Sequence, residues 1–160
     1  MSRPVEAVAE PLPLDEPTYQ LLASRLGAVL ASLGDQGARA AYEKLARALE
    51  DRSVPPELQH HLANLIEFAL EGGRIRKKAG PEAELRLIDL FNRTTRGVAL
   101  TSRLDNINHA LTKMVQDGIE KIGLQMRAPS IYVMTITSKS LRLVVRFDWD
   151  GPEVETLEVG

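Results

Sequence analysis

Residues 119–159 read IEKIGLQMRAPSIYVMTITSKSLRLVVRFDWDGPEVETLEV, and this stretch decides the fold. Its apolar residues recur at every second position. Ile122, Leu124 and Met126 alternate with Gly123, Gln125 and Arg127. Residues 131–137 (IYVMTIT) are rich in β-branched and aromatic types. Leu141, Leu143, Val145, Phe147 and Trp149 alternate with Arg142, Val144, Arg146 and Asp148. A period of two is that of a strand with one wet face. Pro129-Ser130, the short Ser138–Ser140 connection and Asp150-Gly151 punctuate the runs, and Val154–Val159 makes a last strand. The pattern predicts an antiparallel meander of three to four strands over about 119–160, with one face on helices.

Upstream the period is 3.6. Asp15 and Pro17 are a start signal, and Tyr19, Leu22, Leu26, Val29, Leu30 and Leu33 follow at helical spacing. A second, alanine-rich helix is predicted over about 36–51, capped by Asp35. Pro55-Pro56 opens a third, with Leu58, Leu62, Leu65, Ile66 and Ala69 inward, and Gly72-Gly73 ends it. Residues 74–78 (RIRKK) read as a basic loop. A fourth helix starts at Gly80-Pro81 and is expected to stop at Gly97. A fifth is expected from Ser102, which with Asp105 resembles a capping box, to Asp117, with Gly118 ending it. Leu104, Ile107, Leu111, Met114 and Val115 form its expected inward face.

The fold class is therefore α+β: a bundle of about five helices over about 15–117, followed by the β meander. Residues 1–14 carry three prolines and no period, and are expected to be a flexible tail. Residues 15–160 are expected to form a single domain, since the chain's 160 residues are an ordinary domain length. No stretch reads as a secretory signal or a membrane span, so a cytoplasmic protein is expected. Cysteine is absent, which excludes disulfides and thiol chemistry. The net charge of -2 offers no global attraction for a polyanion. The make-up is that of a small accessory protein of bacterial type, but no motif is specific enough to name a family.

No complete catalytic set can be drawn from the residues, and no cofactor is called for. The sharpest local signal is charge. Arg74, Arg76, Lys77, Lys78, Arg86 and Arg93 cluster in a near-neutral chain, with Arg96 and Arg103 following, and such a patch would bind nucleic acid or a nucleotide phosphate through salt-sensitive contacts. Arg127, Arg142 and Arg146 add cations on the wet sheet face. A second constellation is the 4-3-4-3 row Leu100, Leu104, Ile107, Leu111 and Met114, the spacing of a coiled-coil seam or of a core helix. A third is Glu57 with His60 and Asp105 with His109, a possible composite metal site of a small metal-dependent enzyme. Weighed together, the sequence favours a non-enzymatic interaction or assembly module that self-associates or binds a protein partner. Polyanion binding through the 74–103 region comes second, and the metal enzyme third.

Overall fold

The computed structural model describes residues 10–160. The chain divides into two compact units that meet between Gly97 and Val98. Residues 1–9 of the expected tail lie outside the described residues. Within 10–14 the backbone is ordered: β1 (Leu12–Pro13) pairs antiparallel with β2 (Ser53–Val54), Leu14 donates its N–H to the Arg52 carbonyl at 3.0 Å, and the Leu14 side chain is buried.

In the first unit, α1 spans Glu16–Ser32, α2 Gln36–Glu50, α3 Gln59–Leu70, α4 Arg74–Ala79 and α5 Pro81–Arg93. The first two begin as the sequence says. Asp15 accepts from the Thr18 amide at 2.8 Å, and Asp35 from that of Gly37 at 2.8 Å. These bonds satisfy amides that a helix start leaves unpaired. Leu22, Leu45, Leu49, Leu62, Leu65, Ile66, Leu87 and Leu90 are fully buried in one core. Each contributes about 1.5–3 kcal/mol of apolar transfer.

Two expectations are corrected. Residues 74–78 are not a loop. Gly72 and Gly73 take left-handed φ of 69° and 64°, and the chain then winds into the short α4, pinned by the buried Ile75. Nor does the last long helix start at Ser102. It is α6, Thr95–Asp117, and begins just after Thr94, whose hydroxyl accepts from the Gly97 amide at 3.1 Å. Gly97 is therefore no stop signal. A Cβ there would lie 1.9 Å from the Phe91 carbonyl oxygen, so only glycine permits the tight passage from α5 to α6.

The second unit holds most of α6 and a four-stranded antiparallel sheet in the order β3 (Ile119–Ala128), β4 (Ile131–Ser138), β5 (Leu141–Asp148), β6 (Gly151–Val159). Helices followed by an antiparallel sheet are the α+β class expected. Gly118, with φ 92°, turns the chain out of α6. Ile107, Ala110 and Met114 of α6 pack on Ile136, Leu143 and Val145 of the sheet. Among the described residues no helix is long and apolar enough to cross a membrane.

Candidate interaction surface

Strand register assigns each side chain to a face, because directly opposed residues point the same way. Ile122, Leu124 and Met126 of β3 oppose Ile136, Met134 and Tyr132 of β4. Those in turn oppose Leu143, Val145 and Phe147 of β5. This is the apolar face. A helix is about 10 Å wide and strands lie about 4.8 Å apart, so one helix covers roughly two strands. The exposures follow that rule. Ile136, Leu143 and Val145 are buried beneath α6, whereas Ile122 is 61%, Leu124 68%, Met126 65% and Tyr132 45% exposed, and at the other edge Leu157 and Val159 of β6, opposite Leu143 and Leu141, are exposed as well. A register shift at Glu120 brings Ile119, opposite Ser138, into the same exposed row. Sequence alternation identified the face. It could not say which part of the face a single helix would leave bare.

The opposite, wet face is closed by charge pairing. The register shifts on β3 and β6 leave Arg127 and Glu155 without opposed residues. A bulge re-aims its side chain, and here the two meet across the sheet, with Arg127 Nη1 and Nη2 donating to Glu155 at 2.6 and 3.0 Å. The guanidinium holds the Glu155 carboxyl below its usual range, and the carboxylate raises the arginine in turn. Arg146 donates to Glu153 at 2.8 Å and lies 2.9 Å from Asp148, and Arg142 lies 4.0 Å from Glu158. The arginines that looked like free cations in the sequence are thus matched by the glutamates of β6.

Asp117 is the last residue of α6, and its side chain does more than end a helix. It accepts from the Ser138 hydroxyl at 2.5 Å and from the Ser140 amide and hydroxyl at 2.7 and 2.8 Å. The Ser138 bond first, then those of Ser140, hold its carboxyl below the usual range. The serines beside Lys139 therefore anchor a hairpin to a helix end. Trp149 does not continue the inward row of β5. It sits exposed in the β5–β6 turn, where Asp148 accepts from the Asp150 amide at 2.9 Å.

The other sequence candidates are placed as follows. Arg74, Arg76, Lys77 and Lys78 are exposed on α4, and Arg86 and Arg93 on α5. Arg76 pairs with Glu84 at 3.5 Å, Arg86 with Asp15 at 3.0 Å and Arg93 with Asp89 at 3.4 Å. Among the described residues Arg74, Lys77 and Lys78 enter no ion pair. In the α6 row, Ile107 and Met114 are buried against the sheet, Leu100 and Leu111 are partly covered, and Leu104 is exposed. Val115, expected inward, is exposed as well. His60 stacks edge-on to His61, which in turn meets Tyr42. Burial first, then the neighbouring His60, lowers the affinity of His61 for a proton. Among the described residues no three histidine or carboxylate groups, Glu57, His60, Asp105 and His109 included, are grouped to hold a metal ion.

Comparison with protein-family models, with curated proteins and with solved structures finds no match to this chain.

Proposed function

We propose that this chain is a non-enzymatic interaction module that docks a protein through the uncovered half of its sheet, centred on Ile122, Leu124 and Met126. The observation that carries the reading is the contrast within one face, where α6 buries the β4–β5 middle and leaves both flanks wet, the β3 flank carrying the longer apolar row and the β6 flank only Leu157 and Val159. A contiguous patch of large apolar side chains marks a site of association, where apolar residues exposed singly do not. We place the module in the cytoplasm, as an accessory protein that works through a partner. The test is a photo-cross-linking amino acid introduced in the host at position 124, with position 135 on the wet face as control. Adducts from 124 and not from 135 support the reading, and a position 124 that yields none overturns it.

A second reading rests on α4. Arg74, Lys77 and Lys78 are exposed and without acidic partners among the described residues. Cations so placed favour a polyanion. This reading expects nucleic-acid binding that weakens steeply with salt and is lost when the three are changed together to glutamine. Binding unchanged in that triple variant removes it.

A further inference from the structure

We infer that the layer covering β3 is the β3 of a second copy of this chain, stacked apolar face on apolar face about a twofold axis near Leu124. The inference rests on the β3 half-face being an interaction surface, and adds what occupies it.

Geometry first restricts how the surface is covered. A strand added in the plane of the sheet at the β3 edge satisfies backbone groups, but its side chains project above and below that plane. Ile122, Leu124 and Met126 would stay in water. Only a layer laid on the face removes them from it. The exposed parts of Ile119, Ile122, Leu124, Met126 and Tyr132 come to about 550 Å² at roughly 200 Å² per large side chain. That is most of the roughly 800 Å² each partner buries in a stable complex.

Charge then selects the partner. A twofold interface sets identical patches against each other, so a charged patch meets its own sign. The α4 cations and the β6 glutamates are unsuited to self-pairing for that reason. The register-paired members of the β3 half-face carry no charge: they are Ile119, Ile122, Leu124, Met126 and, from β4, Tyr132 and Met134. Because α6 stands beside β3 over β4 and β5, the axis runs along β3, which puts the two α6 helices on opposite sides and sets Leu124, Ile122 and Met126 each on its own copy. The row is complementary to itself in length and in chemistry.

The absence of cysteine makes a clean test possible. Purified wild-type protein is expected to elute with twice the 17.7 kDa mass of the chain by light scattering. Leu124→Cys treated with a bis-maleimide spanning about 10 Å, the spacing of stacked sheets, is expected to give a covalent dimer. Thr135→Cys on the wet face is expected to give none. Leu124→Asp sets two carboxylates together at the axis and should weaken the dimer by about 100-fold or more. Met126→Lys, also fully outside the core, is the second variant, and circular dichroism verifies that both fold. A wild-type chain that stays at 17.7 kDa at the highest attainable concentration overturns the second-copy inference. So does a dimer that survives Leu124→Asp and Met126→Lys. If the wild type is monomeric yet position 124 captures a different protein in the host, the occupant is wrong while the interaction reading stands. If it captures nothing, both fall.

Discussion

The two faces of the four-stranded sheet solve the same problem in opposite ways. The wet face holds three arginines and four carboxylates, and it pairs them: Arg127 with Glu155, Arg146 with Glu153 and Asp148, Arg142 with Glu158. The apolar face has one helix for four strands, and α6 closes only part of it. Among the described residues the arginines of one face are all paired and the other face is only partly covered. Electrostatic pairing can be finished by two bulges that swing single side chains. Apolar coverage needs a whole layer, and this unit has only one helix to supply it.

Substitutions that separate the covered from the uncovered half test the contrast most directly. Leu143→Ala, beneath α6, is expected to cost about 2–5 kcal/mol, because it removes buried methyl groups from a site with no exposure. Urea unfolding followed by circular dichroism measures it, and a cost under 1 kcal/mol would mean that α6 does not seal that half.

The next effect in size is at Asp117. Asp117→Asn is expected to speed amide exchange at 138–141, since one carboxylate holds both ends of that turn. It should also remove a pH dependence. Because the folded carboxyl is held below its ordinary range, its contribution is full above about pH 4 and is lost as the pH falls through the lower folded value. Unfolding midpoints measured from pH 6 down to about pH 2 should therefore drop less in the variant than in the wild type. Parallel curves would deny the role.

On the wet face Glu155→Gln is expected to lower stability slightly at low salt, and the difference should vanish at high salt, because exposed pairs are screened. A difference that persists in high salt would show that the bulges, and not the charges, depend on this contact.

The smallest effect is expected on β3. Leu124→Ser should change the folding stability of dilute, unassociated protein by no more than about 0.5 kcal/mol, as for other surface positions. A loss comparable to that of Leu143→Ala would place Leu124 in the core and end the contrast between the halves.

Much of this architecture is legible in the sequence, for reasons that can be named. The switch from a 3.6 to a 2.0 period at residue 119 marks the end of the helices, and Gly118 confirms it with its left-handed φ. Asp15 and Asp35 are legible as caps because a short carboxylate before a helical period can accept from a first-turn amide, as both do. Ser102 misleads because Val98–Thr101 contain no breaker, so a helix begun at Thr95 runs straight through it. Residues 74–78 show no period because a helix of six residues offers one buried position, Ile75. The bulges at Arg127 and Glu155 leave no trace in composition. They depend on register across neighbouring strands, which the local pattern does not contain. The candidate surface was hidden for the same kind of reason: Ile122, Leu124 and Met126 alternate like the covered residues of β5, and only the placement of α6 separates them.

The order of the sheet, β3-β4-β5-β6, is also the order of the chain. Every strand pairs with its immediate neighbour in sequence, across turns as short as Pro129-Ser130 and Trp149-Asp150. Contact order in this unit is accordingly low, and closing such short loops costs little entropy before pairing begins to repay it. The sheet can assemble as a run of local hairpins, fast for a β structure, with α6 already formed beside the strand that follows it. During synthesis β3 finds β4 within a few residues of its own completion, so its inner edge spends little time unpaired. Its apolar face has no such local remedy, because hairpin pairing covers a strand's edges and not its faces.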